Sequence, residues 1–128
     1  MERKIIATAA FFGMTAVILG AFGAHKLKEL LDPEMLSAFE TGVRYQMYHA
    51  FLLLFVGILP VISGKAKTAI FWLTTIGILF FSGSIYLLST GNITGTDFRS
   101  IGLMTPIGGA LLIAAWAVLM VNFMRKKS

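Results

Sequence analysis

Four long apolar stretches, almost free of charge, occupy most of this chain: roughly Ile5–Ala24, Tyr45–Ile62, Thr68–Ser89 and Leu103–Phe123. Each holds about 18–22 residues, enough at ~1.5 Å per residue to cross a hydrocarbon layer of ~30 Å. A soluble domain of 128 residues has no interior large enough to hide four such segments. Lipid admits only helices or a closed barrel, because every spanning backbone group must be satisfied internally. Continuous apolar runs, rather than alternating ones, select helices. The expected fold is therefore all-α: an integral membrane four-helix bundle, a single domain over residues 1–128.

Charge sets the expected orientation. Hydrophobic residues make up 57% of the chain and charged residues 13%, with a net charge of +5. Arg3, Lys4, Lys65, Lys67, Arg125, Lys126 and Lys127 flank helix ends on one side of the four spans, with Glu2 as the one acid there. Lys26, Lys28, Arg44 and Arg99 lie on the other side among five acids, so the bias is seven cations against four. The positive-inside rule then puts both termini in the cytoplasm of a plasma-membrane protein. No basic stripe with interleaved aromatics forms a soluble face, so nucleic acid is not an expected partner. The first apolar run exceeds a typical signal-peptide core and reads as a retained span. Without cysteine, the chain has no disulfides, thiolate metal sites or thiol nucleophiles.

Packing signals follow the helices. Ala9, Gly13, Ala16, Gly20 and Ala24 form a stripe of small residues on the first helix, suited to close contact inside the bundle or, alternatively, to homodimerisation. Asp32-Pro33-Glu34 reads as a helix start, so the second helix begins near Pro33 or, if an interfacial segment precedes it, near Tyr45, and runs to 62. Ser63–Lys67 reads as a tight turn before a third helix over 68–89. Thr105-Pro106 resembles an N-cap followed by Pro at the first helical position, giving a fourth helix from 103 or 106 to 123. Ala110, Ala114 and Ala117 offer it a second small face, and Gly108-Gly109 admits a close neighbour. Trp72, Tyr45, Tyr48 and Tyr86 read first as interfacial anchors.

The spans contain no Asp, Glu, Lys or Arg, which weighs against proton relays and ion pathways. Polar side chains gather instead in the outer half: His25, Arg44, Tyr45, Gln46, Tyr48, His49, Ser82 and Ser84 are the candidate site residues. An arginine among tyrosines and histidines at headgroup depth suits a phosphate or a quinone carbonyl. The simpler reading is a hydrogen-bonded girdle that ties the outer connection to the helix ends. Glu40 and Asp97 are the expected protein partners of Arg44. His25 and His49 together suggest a bis-histidine haem site, but the first sits at a helix end. Two histidines with scattered carboxylates are too few for zinc, and Ser82 and Ser84 have no partnered base. No metal, cofactor or catalytic residue is expected.

Gly20–His25, Arg44–His49, Phe81–Tyr86 and Thr105–Gly109 occur in order along the chain. In these four motifs the sequence resembles the family called domain of unknown function four-two-three, which includes YgdD- and YwdK-like bacterial proteins and the eukaryotic transmembrane protein two-five-six. The resemblance implies a four-helix integral membrane protein, in bacteria a plasma-membrane one, and brings no activity or catalytic residues. The expected role is non-enzymatic: an accessory or interaction protein whose partners are membrane lipids, a second copy or a larger membrane complex. A quinone- or haem-binding redox subunit and a small oligomeric transporter are the alternatives.

Overall fold

A computed structural model describes residues 2–95 and 99–125. The helices in chain order are α1 (Glu2–Phe22), α2 (Lys28–Leu30), α3 (Pro33–Ile58), α4 (Gly64–Ser89), α5 (Gly91–Thr94) and α6 (Met104–Met124). A π-helical turn, Gly23–Leu27, joins α1 to α2, and a short 3-10 turn, Arg99–Ile101, precedes α6. The four long helices form the bundle, and no strand occurs among the described residues.

Local chemistry explains the boundaries, several of which differ from those expected. Of the two expected starts, α3 takes the earlier, at Pro33: the Asp32 carboxylate accepts from the Met35 N–H at 2.8 Å, with Pro33 at the first helical position. Its end does not. Pro60 disfavours helical backbone at Leu59, which is extended, so α3 stops at Ile58 and not at 62. α4 begins at Gly64, four residues before the expected 68, because the Ser63 hydroxyl accepts from the Ala66 N–H and caps the helix. α6 begins at Met104, with Leu103 as its uncapped N-cap. Thr105 is therefore not the cap; Pro106 still falls in the first turn, where no N–H is needed. α1 passes its expected end at 24 through the π turn, which sets Gly23 and Leu27 inward and leaves Ala24, His25 and Lys26 exposed.

α1 packs on α3, α3 on α4 and α4 on α6. Polar contacts fix their directions. At one end Lys67 Nζ lies 3.1 Å from Glu2 Oε2, and the Ser63 N–H donates to Asn122 Oδ1, so the starts of α1 and α4 meet the end of α6. Lys67 also reaches the Gly57 carbonyl near the end of α3, at 3.4 Å. Lys67, at the start of α4, is thus buried in an ion pair.

The small stripe of α1 faces α3: Gly13 abuts Ala50, Gly20 abuts Val43, and Gly23, in place of the exposed Ala24, abuts Phe39. Contact between α4 and α6 is closer still. A Cβ on Gly108 would lie 2.3 Å from the Phe81 backbone nitrogen, and one on Gly77 would meet Leu112 at 2.7 Å. In lipid, where apolar burial does not drive helices together, such close approach supplies the dispersion energy of association. The inner face of α6 is Gly108, Leu112 and Ala115; Ala110 and Ala117 of the expected small face are exposed. Ile5, Ala9, Phe12, Ala50, Leu53, Phe71, Ile78 and Leu112 draw all four helices into one core. Phe11, Val17, Ile58, Leu79 and Ile113 point outward, as a bundle in lipid requires.

Length and apolarity suffice for a crossing in α1 extended to Leu30, in α4 and in α6. α3 falls outside that set: Glu34, Glu40 and Arg44 occupy its first half, and its charge-free part is short. Three helices, not four, therefore meet the criterion on their own, and α3 lies between two of them.

Candidate functional site

α3 distributes the predicted polar cluster. At ~100° per residue, Gly42, Gln46 and His49 share one face, while Arg44 and Tyr48 share the opposite one. Gln46 and His49 are accordingly buried; Arg44, Tyr45 and Tyr48 are exposed. The sequence joins these residues in one site, and the fold separates them into an interhelical network and an outward-facing shelf.

Gln46 is the hub of the network. Its amide donates to the Phe12 carbonyl at 2.9 Å and to the Thr15 hydroxyl at 2.7 Å, both on α1. Its Oε1 accepts from the Tyr86 hydroxyl of α4 at 2.6 Å. One amide thus pins three helices with both N–H groups and its oxygen committed. Ser82 donates to the Gly42 carbonyl at 2.7 Å, a second α4–α3 tie. Ser84 donates to the Phe81 carbonyl, so it accepts from the Thr105 hydroxyl, and this joins α4 to the start of α6.

His49 is equally committed. The Trp116 indole N–H donates to His49 Nε2 at 3.0 Å, which makes Nε2 the acceptor. Nδ1 then carries the proton and donates to the Tyr45 carbonyl at 2.7 Å. Neutral, with both ring nitrogens engaged, this imidazole offers no lone pair to a haem iron. His25 is exposed on the π turn, with Nδ1 2.9 Å from the Ala21 carbonyl, so the two histidines do not form the suggested pair. Among the described residues no cluster of three or more metal-ligating side chains forms.

The shelf has a different character. The Arg44 guanidinium donates to the Thr41 hydroxyl at 3.0 Å on its own helix. Glu40, the expected partner, makes no ion pair with it; Lys67–Glu2 is the sole ion pair among the described residues. Asp97, the second expected partner, lies outside the described residues. The Tyr45 ring packs on Tyr48 at 5.5 Å and on Phe81 of α4 at 5.1 Å. The contacts of Gly20 with Val43 and Gly23 with Phe39 set Arg44 level with the last turns of α1. A small recess of about 200 Å³ lies beside it, lined by Gly20, Gly23, Phe39, Glu40, Val43 and Arg44.

Sequence reasoning missed Thr15 and Trp116, read Thr105 as a helix cap and read Tyr86 as an interfacial anchor. The available signal for Thr15 was a hydroxyl alone in an apolar run, a residue type that bonds across membrane helices. The partners of Tyr86 and Trp116 depend on helix rotation, which spacing alone does not supply.

The profile described as "Protein of unknown function (DUF423)" matches residues 19–109, from the middle of α1 to the first turns of α6. The chain belongs to this family. It is similar to a UPF0382 membrane protein of Staphylococcus saprophyticus, at 42% identity over 94% of this chain and 96% of that one. YwdK, a UPF0382 membrane protein of Bacillus subtilis, is 40% identical over 93% and 94%. A UPF0382 membrane protein of Haemophilus influenzae is 35% identical over 100% and 99%. No solved structure matches. The DUF423 match spans the Gln46 hub, the His49–Trp116 donor's acceptor and the Gly108 crossing, and this member is a helical transmembrane protein.

Proposed function

We propose that this protein is a non-catalytic accessory protein of the plasma membrane that holds anionic lipid headgroups at its outer end through Arg44. The observation that carries the reading is the state of Arg44: an exposed, permanently charged guanidinium whose one polar partner among the described residues is a neutral hydroxyl. Guanidinium geometry matches phosphate, and two exposed tyrosines beside it suit the membrane interface. The non-catalytic part is supported by Gln46, His49, Ser82 and Ser84, whose polar atoms are spent on hydrogen bonds within and between helices. Exposed Arg3, Lys4, Lys65 and Arg125 cluster at the Glu2 end, which supports a cytoplasmic position for that end.

The test is native mass spectrometry of protein extracted gently from its own membrane. Arg44→Ala is expected to lose co-purifying acidic phospholipid several-fold with the melting temperature unchanged, whereas Lys26→Ala, a nearby exposed cation, retains it. Equal retention by wild type and Arg44→Ala rejects the reading.

A further inference from the structure

Between the start of α4 and the end of α6, at the Glu2 end of the bundle, the surface opens into a cavity of about 950 Å³. That is near the upper end of the ~300–1,000 Å³ common for small-molecule sites. Its polar rim is Ser63, Lys65, Asn122 and Arg125, and among the described residues no carboxylate lines it. Ala66, Ala69, Ala117 and Val121 form an apolar wall, and the short alanine side chains on both helices leave the volume open. Lys65 and Arg125 are exposed and take part in no ion pair among the described residues, in contrast to Lys67, which turns inward to Glu2. The Ser63 N–H bond to Asn122 ties the two helices at the polar end of the groove.

We propose that this groove binds one anionic glycerophospholipid, with its phosphate between Lys65 and Arg125 and an acyl chain along the alanine wall. The charge pattern selects the occupant. A soluble phosphate leaves the apolar wall uncovered, and a zwitterionic lipid brings a cationic headgroup group toward two cations. Only an amphiphile with net negative charge satisfies both the rim and the wall. The site lies at the opposite end of the bundle from Arg44, so it stands or falls apart from the role proposed there.

Native mass spectrometry of the full chain, with phosphatidylglycerol and phosphatidylcholine added in equal amounts, tests the proposal. Wild type is expected to retain phosphatidylglycerol in preference by about tenfold, as two interfacial cations provide. Lys65→Gln combined with Arg125→Gln abolishes the preference at an unchanged melting temperature, while Arg44→Ala leaves this second lipid in place. Ala117→Trp, at an exposed position on the wall, reduces retention of both lipids. Persistence of the preference in the double variant overturns the proposal. So does unchanged retention in Ala117→Trp, or displacement by glycerol 3-phosphate at concentrations matching added lipid.

Discussion

Gln46 carries a primary amide into the middle of an apolar bundle, where an unpaired N–H or oxygen is costly. Its three partners on α1 and α4 remove that cost and fix the rotation of α3 about its axis. Interhelical hydrogen bonds in membranes contribute ~0.6 kcal/mol on average and up to ~1.7, because the separated helices also find partners. Gln46→Leu is therefore expected to lower stability by ~1–2 kcal/mol in reversible unfolding from mixed micelles. Tyr86→Phe removes one bond and costs about half as much, and the double variant costs less than the sum of the two. Strict additivity would show that the two side chains do not act together. The direction of the Trp116–His49 bond likewise fixes a tautomer that no sequence argument reaches.

At the scale of elements, the crossing of α4 and α6 is the least forgiving feature. Gly108 meets backbone atoms of Phe80 and Phe81, which cannot yield as a side-chain tip can. Gly108→Ala is expected to force the helices apart and cost ~1–3 kcal/mol by overpacking. Gly83, on α4 with open space around its missing Cβ, gives the control: Gly83→Ala is neutral or gains up to ~1 kcal/mol from helix propensity. Unfolding midpoints of the two variants in one detergent check the contrast. The π turn acts at the same scale. Gly23, and not Ala24, continues the inward face of α1 at helical spacing and packs on Phe39, and Leu27 is buried beside Leu31 at the end of the turn.

For the whole molecule, α3 decides the topology. Its apolar part is too short to qualify as a span alone, yet it runs between α1 and α4 with Glu34 near one end of the bundle and Gly57 beside the Glu2–Lys67 pair at the other. Single cysteines are unambiguous probes because the chain has none. An impermeant maleimide on intact cells is expected to label Glu34→Cys and to spare Lys65→Cys and Arg125→Cys until the membrane is opened. Labelling of all three from outside would remove α3 as a crossing and invert the assigned sidedness.

Periodicity, caps and apolar length made much of this protein legible in its residues alone: an all-α membrane bundle, the small face of α1 and the Asp32-Pro33 start of α3. These follow from short-range chemistry and from lipid, which acts on every residue alike. Boundaries slipped where a single residue overrode the hydropathy pattern, at Ser63 and at Pro60. The candidate site was legible only as a list. Side chains adjacent in sequence on α3 point to opposite faces, so rotation of that helix against α1 and α4 decided that Gln46 and His49 join the core while Arg44 and Tyr48 face outward. That rotation is set by contacts between residues more than thirty positions apart, Gln46 with Phe12 and Thr15 among them, and only the tertiary structure brings those atoms together.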